Sequence, residues 1–109
     1  MTRVLVSALA KQDVRDILKD LSERAGYAVA NRYAADFKNV YRSLVDFPGG
    51  GPPRRSLGSD ARIKIVFPYV IIYDHRADTV TVLRVLHGHR DITVELLARS
   101  RGVAPRSGG

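Results

Sequence analysis

Between residues 8 and 87 the spacing of apolar residues changes once, at Pro48. Before Pro48 they recur every three or four positions, as on one face of a helix, and after it they alternate or run together, as in strands. Gly26 divides the helical part into two segments, near residues 8–25 and 27–47, which are joined by only a few residues. So short a connection makes the two helices antiparallel neighbours. The sequence therefore predicts a helical hairpin followed by a sheet.

Three short runs after Pro48 have the composition of strands. Residues 62–67 alternate polar and apolar, residues 69–73 are nearly all apolar, and residues 79–86 are rich in β-branched side chains. Pro68 and the segment 74–78 are the predicted turns between them. Connections this short predict an antiparallel meander with a buried middle strand.

Two shorter elements complete the prediction. Arg3–Val6 has the composition of a strand, and Ser7 is a suitable N-cap for the helix that follows it. Beyond Gly88, three apolar residues indicate a short final helix: Ile92, Leu96 and Leu97. We expect an α+β fold of order β-α-α-β-β-β, with a helical hairpin packed on an antiparallel sheet and a short C-terminal helix. Residues 1–98 form one domain in this prediction, and residues 99–109 form a flexible basic tail.

Composition narrows the classes of function. The absence of cysteine excludes disulfides, thiolate zinc sites and thiol nucleophiles. Because there is neither an apolar leader nor an apolar run of membrane-spanning length, we expect a cytoplasmic protein. The net charge is +7, and residues 48–109 hold ten basic side chains against five acidic ones. Such a surface attracts nucleic acid or an acidic protein segment, and charge alone does not choose between them.

Three motifs have ordinary structural interpretations. The run Gly49–Gly51 lacks the Gly-Lys-Ser/Thr ending of a phosphate-binding loop and is predicted to be a connector. His87 and His89 make only half of a metal-binding cluster, so we expect no metal site and no cofactor. The first helix carries an acidic stripe that is typical of a solvated face. Its members are Asp13, Asp16, Asp20 and Glu23.

Arg84 is an arginine in an otherwise apolar strand, and strict alternation puts it on the same face as Val80, Val82 and Leu86. It either forms an internal ion pair or snorkels at the end of the strand, or else it contacts an anionic partner. Three further cations could assist such a contact: Arg62, Lys64 and Arg90. The sequence leaves both interpretations open.

Four segments carry a resemblance to a known superfamily. They are Leu44–Pro48, the Arg55-x-Leu57-Gly58 stretch with Arg62, the strand Tyr69–Tyr73, and the segment Val82–Asp91. The last is the most specific, because an apolar strand with one arginine runs into His-Gly-x-Arg-Asp. Over residues 3–97 the chain resembles the ParE/RelE toxins of type II toxin–antitoxin systems, and its His-Gly-x-Arg-Asp ending resembles the ParE branch.

The resemblance implies a cytoplasmic toxin that inhibits DNA gyrase without an intrinsic reaction, as in modules associated with plasmid stabilisation. A cognate ParD-like antitoxin with an acidic C-terminal segment would neutralise it in a hetero-oligomer, which fits the basic charge. The expected target-binding residues are Arg84, His87, His89, Arg90 and Asp91. The expected antitoxin-binding residues are Arg55, Arg62, Lys64 and Tyr73.

Two other functions remain open at the level of sequence. A RelE-like ribosome-dependent mRNA endonuclease would use clustered cations and a proton-transfer group. Its catalytic candidates are Arg62, Lys64, Arg84, His87 and His89. The chain has no tyrosine after Tyr73, however, so the C-terminal aromatic group of many such nucleases is missing. The third possibility is an inactive remnant that acts only in autoregulation of its operon.

Overall fold

The computed structural model describes residues 1–102, and its elements follow the predicted order. The strands are β1 (Arg3–Val6), β2 (Ala61–Val66), β3 (Tyr69–Arg76) and β4 (Thr79–His87). The helices are α1 (Ala8–Ala25), α2 (Tyr27–Asp46) and the short α3 (Val94–Leu97), with a 3₁₀ turn at Arg55–Leu57. The α+β class and the element order are thus confirmed.

The helical hairpin begins and ends where local chemistry places its boundaries. The Ser7 hydroxyl accepts a hydrogen bond from the Ala10 amide at 3.0 Å, which caps the start of α1 as predicted. Gly26 ends α1 at φ 91°, a conformation that costs glycine little, and α2 begins at the next residue. The helix α2 ends at Asp46, before Phe47 and Pro48. The one-residue link makes α1 and α2 packed neighbours.

The sheet has the strand order β1-β4-β3-β2. The strands β2, β3 and β4 form the predicted antiparallel meander. The strand β1 joins it in parallel with β4, with Arg3 opposite Thr79 and Val6 opposite Val82, so the complete sheet is mixed. This parallel pairing is possible because the whole helical hairpin and two strands lie between β1 and β4 in the chain.

The strand β3 is longer than the sequence predicted. Residues 74–76, assigned to a turn, continue to pair with β4, and Arg76 lies opposite Thr79. The turn is confined to Ala77 and Asp78, and Ala77 has φ 54°. Polar composition suggested a loop here, but β4 pairs with all three residues and β2 pairs with Asp74, and this pairing outweighs weak strand propensity.

Two apolar layers lie on opposite faces of the sheet. The helices cover one face, where Phe37, Leu44, Ile71 and Tyr73 belong to the larger core. The opposite face, called the outer face below, has a smaller core covered by α3 and the 3₁₀ turn. Its buried residues are Leu57, Ala61, Ile63, Ile72, Leu83, Leu86 and Leu97.

A β-bulge in β4 changes which side chains share a face. Tyr73 lies opposite Val82 but Ile72 lies opposite Arg84, so Leu83 is an extra residue in β4. Val82 consequently packs toward the helices, whereas Leu86 packs on the outer face. The predicted grouping of Arg84 with Val80, Val82 and Leu86 is therefore wrong, because strict alternation does not hold across the bulge.

The C-terminal segment crosses the outer face. Leu97 is fully buried there, and the Arg101 guanidinium makes two hydrogen bonds of 2.8 Å to the carboxylate of Asp74. The start of the predicted tail, residues 99–102, is thus attached to the sheet, whereas residues 103–109 lie outside the described residues. No helix within residues 1–102 is long and apolar enough to cross a membrane.

Candidate partner-binding site

A groove of about 600 Å³ lies on the outer face, between β2, the β2–β3 turn and the segment after β4. Its apolar lining includes Leu57, Ile63, Ile65, Val70 and Ile92. Basic and imidazole side chains line the rest, together with one carboxylate. These residues are Arg54, His87, His89, Arg90 and Asp91. The groove therefore combines an apolar floor with a mainly basic rim.

The rim segment His87–Asp91, called the histidine loop below, is held by short-range contacts although its side chains are exposed. The Gly88 amide donates to the Pro68 carbonyl at 2.8 Å, and the Arg90 amide donates to the His87 carbonyl at 2.9 Å. The imidazoles of His87 and His89 stack with centroids 4.9 Å apart, and His87 also packs edge-on against Tyr69. The loop thus presents a stacked imidazole pair in a defined position.

The apolar groups beside this loop are unusually exposed. Ile65 is 63% accessible and Phe67 is 84% accessible, and both line the groove. Sequence reasoning missed them, together with Arg54, as site residues. The signal was present, since alternation places Ile63, Ile65 and Phe67 on one face of a strand that has a neighbour on only one side.

Arg84, predicted to bind a target, is held inside the fold. Its Nε and Nη2 donate to the two carboxylate oxygens of Asp13 at 2.7 and 2.8 Å, and both side chains are largely buried. The hydrogen bonds to Asp13 raise the pKa of Arg84, although burial acts in the opposite direction. The same carboxylate accepts the Val85 amide at 3.0 Å. This geometry corresponds to the internal ion pair that the sequence left open.

Arg62 and Tyr73 hold the glycine-rich connector in place. Arg62 donates to the carbonyls of Gly49 and Gly51 at 3.1 and 2.8 Å. The Tyr73 hydroxyl accepts the Gly51 amide and donates to the Pro48 carbonyl, each at 2.9 Å. Tyr73 is fully buried, and this burial raises the pKa of its hydroxyl.

The predicted residues thus divide into separate places. His87, His89, Arg90 and Asp91 come together at the groove. Arg62 lies opposite Tyr73 in the sheet and shares its helix-covered side, as does Lys64 two residues later. Arg55 is exposed at the start of the 3₁₀ turn, beside Arg54. Within residues 1–102, no three residues among His, Cys, Asp and Glu are grouped to hold a metal ion.

Comparison with known proteins identifies the family. Residues 4–92 match the model of the ParE toxin of the type II toxin–antitoxin system parDE. This chain belongs to the ParE toxin family. The match includes the helical hairpin, all of the sheet except Arg3, and the histidine loop, and it ends before α3.

Two further comparisons give a relative in sequence and a shared fold. The chain is 27% identical over 96 residues to Toxin ParE3 of Caulobacter vibrioides, which covers 88% of this chain and 96% of that protein. A solved structure described as the chromosomal ParDE TA system from P. aeruginosa superposes with a TM-score of 0.68 at 17% identity. That superposition covers 80% of this chain and 96% of the other, and it shows a shared fold.

Proposed function

We propose that this ParE-family toxin inhibits DNA gyrase by binding it, without catalysing a reaction, and that a ParD-like antitoxin neutralises it. The observation that carries the proposal is the histidine loop beside exposed apolar residues. An apolar patch with an imidazole and guanidinium rim is suited to binding a protein surface. Contact with gyrase is assigned to His87, His89, Arg90 and Asp91.

The distribution of cations argues against the endonuclease alternative. A phosphate transition state requires several donors aimed at one point. Arg84 is occupied by Asp13, and Arg62 is occupied by backbone carbonyls of the connector. Tyr73 of β3 lies opposite Arg62, and Tyr69 of β3 lies opposite His87. These two tyrosines are four positions apart, which is roughly 13 Å at the rise of a strand. The catalytic candidates of that alternative therefore do not converge.

Arg84 is assigned an indirect role in this proposal. Its ion pair fixes α1 against the strand that carries the histidine loop, because Asp13 also binds the Val85 amide two residues before His87. The C-terminal end of β4, from which the histidine loop begins, is therefore held in a fixed position. Arg84 positions the target-binding residues rather than touching gyrase.

Neutralisation is assigned to an acidic antitoxin segment that meets the basic rim. The exposed cations available to it at the rim are Arg54, Arg55 and Arg90, whereas Lys64 is half-buried on the helix-covered side of β2. Arg62 and Tyr73 contribute by holding the connector, since their polar groups are bound internally. Charge complementarity of this kind accelerates association and selects the partner.

A supercoiling assay with purified gyrase tests the proposal. The wild-type protein is expected to inhibit supercoiling without ribosomes. The double variant His87→Ala/Arg90→Ala is expected to lose at least about tenfold in potency, since a loss of about 1.4 kcal/mol in binding free energy already has that effect. Arg76→Ala is the matched control, because Arg76 is exposed at the opposite end of the sheet. A parallel toeprinting experiment with translating ribosomes measures message cleavage.

The outcomes separate the candidate functions. Inhibited supercoiling with intact message supports the proposal. Normal supercoiling with ribosome-dependent cleavage would establish the endonuclease instead. If the His87→Ala/Arg90→Ala variant inhibited gyrase as strongly as the Arg76→Ala control, the histidine loop would not be part of the gyrase-binding surface.

A further inference from the structure

A row of aromatic rings leads from the buried side of α2 to the exposed histidine loop. The ring of Tyr69 packs perpendicular to that of Tyr33, with centroids 5.6 Å apart, and lies 5.9 Å from that of Phe37. The same ring packs against His87 at 5.9 Å, and His87 stacks on His89 at 4.9 Å. Phe37 and Tyr69 are buried, whereas both histidines are exposed. Tyr69 is therefore the link between the core and the loop.

The sheet brings the side chains of Tyr69 and His87 close together. The two residues lie directly opposite each other in β3 and β4. Gly88, the residue after His87, donates its amide hydrogen to the carbonyl of Pro68, the residue before Tyr69. Tyr69 and His87 thus form a non-hydrogen-bonded pair, the kind in which opposite side chains approach most closely. Their contact is fixed by the register of the sheet.

Three contacts hold the imidazole of His87. The ring of Tyr69 packs against it at an interplanar angle of 82°, and the ring of His89 stacks on it at 21°. The backbone amide of His89 donates to its Nδ1 atom at 3.2 Å. A rotation of the His87 ring would lose this hydrogen bond and the stack together. The orientation of His87 therefore also determines the position of His89.

The bond to Nδ1 determines what His87 offers to a partner. An imidazole nitrogen that accepts a hydrogen bond carries no proton, so neutral His87 carries its proton on Nε2. Because Nδ1 is engaged within the loop, Nε2 is the nitrogen that a partner can reach on this exposed side chain. His87 thus presents an N–H donor, which fits an acceptor such as a carboxylate or a backbone carbonyl.

The ring of Tyr69 is itself fixed by α2. Tyr69 belongs to the larger core together with Phe37 and is only 6% exposed. The Tyr33 hydroxyl donates to the Phe67 carbonyl at 3.2 Å, which ties α2 to the turn before β3. Perpendicular packing of aromatic rings is directional. The packing of the core can thus hold an exposed imidazole in one orientation.

We propose that Tyr69 is a positioning residue for target binding: its ring orients His87, so that the Nε2–H of His87 donates to an acceptor on gyrase. The inference rests on the proposed function and adds to it a buried residue and the chemistry of one contact. Tyr69 acts through His87, because a buried ring does not itself reach a partner. An imidazole oriented in advance loses less conformational entropy on binding.

Nuclear magnetic resonance of the free toxin tests the orientation of His87 without gyrase. In alkaline buffer, where imidazole is neutral, long-range proton–nitrogen spectra are expected to show the proton of His87 on Nε2. Nuclear Overhauser effects should connect the ring protons of Tyr69 and His87. In the Tyr69→Leu variant the effects between the rings of His87 and His89 should weaken, because the His87 ring is then free to rotate.

Two variants of Tyr69 and a core control separate positioning from stability. Tyr69→Leu removes the ring, whereas Tyr69→Phe keeps the ring and removes only the hydroxyl. Phe37→Leu removes a second buried ring, whose aromatic contacts are with Tyr33 and Tyr69. In the supercoiling assay Tyr69→Leu is expected to be at least about fivefold less potent than the wild type, and the other two variants should remain within about twofold.

Each outcome has a definite meaning. A selective loss of potency in Tyr69→Leu, together with the Nε2 proton in the wild type, supports the inference. Full potency of a folded Tyr69→Leu variant overturns it, and so does an equal loss in Phe37→Leu. A wild-type His87 that carries its proton on Nδ1 overturns it even if Tyr69→Leu does not fold. A wild-type protein without effect on supercoiling would overturn the proposed function, and this inference with it.

Discussion

The guanidinium of Arg84 donates hydrogen bonds to both carboxylate oxygens of Asp13, a residue 71 positions earlier in the chain. The pair joins the first helix to the central strand β4 beyond the point where β1 ends. The strand β1 pairs with β4 only as far as Val82, and α1 then supplies the next partners through its cap and first turns. The Ser7 hydroxyl donates to the Leu83 carbonyl at 2.8 Å, and Asp13 accepts the Val85 amide. Beyond the end of β1, the side chains of Ser7 and Asp13 thus bind backbone groups of β4 that have no neighbouring strand on that side.

Asp13→Ala should destabilise the protein by about 3 kcal/mol, because it leaves the Arg84 cation and the Val85 amide without their acceptor in a largely buried place. Denaturant unfolding monitored by circular dichroism measures the change. The double variant Asp13→Asn/Arg84→Met retains an acceptor for Val85 and removes the cation, so it should recover much of the loss. Full inhibition of gyrase by that stable double variant would show that Arg84 does not itself contact the target.

Tyr73→Phe should loosen the glycine-rich connector. The change removes the acceptor of the buried Gly51 amide and the donor to the Pro48 carbonyl, at a cost of about 1–3 kcal/mol. Amide exchange should show faster opening of residues 49–51 while β4 remains protected. Tyr33→Phe is the control, since its hydroxyl makes one exposed bond of 3.2 Å to the Phe67 carbonyl. Equal effects of the two substitutions would contradict an anchoring role for Tyr73.

Gly51→Ala should be far more disruptive than Gly49→Ala. A Cβ at Gly51 would overlap the Ile63 carbonyl and lie 2.8 Å from the Tyr73 hydroxyl, whereas a Cβ at Gly49 has its nearest neighbour 3.9 Å away. The first substitution must displace the backbone against β2, and the second stays within ordinary contact. Thermal melts of both variants should show a lower Tm for Gly51→Ala alone. A neutral Gly51→Ala variant would mean that the connector moves freely.

Tyr41→Phe should raise stability and flatten the alkaline limb of the stability profile. Burial, with a smaller contribution from the nearby Asp13 charge, raises the pKa of Tyr41 to about 12. The folded state therefore retains the phenolic proton that the unfolded chain releases near pH 10, so stability falls as pH rises from about 10 to 12. Within residues 1–102 the buried Tyr41 hydroxyl also has no hydrogen-bond partner, and its removal should contribute about 1 kcal/mol at neutral pH. Unfolding of both proteins measured from pH 7 to 11 tests this, and parallel profiles would contradict it.

Local chemistry was enough to predict the elements of this protein. The helical period, the Ser7 cap and Gly26 marked the two helices at the bounds the structure shows, because these signals act within a few residues. Strand composition and the short turns likewise identified the meander. The sequence also singled out the segment His87–Asp91, which the structure brings together at one groove.

Relations between distant segments were decided only in the tertiary structure. The extra residue Leu83 changes which β4 side chains share a face. No local sequence pattern predicts this bulge, because a bulge belongs to the register between two paired strands, here β3 and β4. The partner of Arg84 is Asp13, a member of the acidic stripe of α1 that was expected to face solvent. The sequence did not predict this pair, because a contact across 71 positions produces no periodic pattern. The position of the glycine-rich connector likewise involves the hydrogen bond between the Gly51 amide and the Tyr73 hydroxyl, which joins residues 22 positions apart in the sequence.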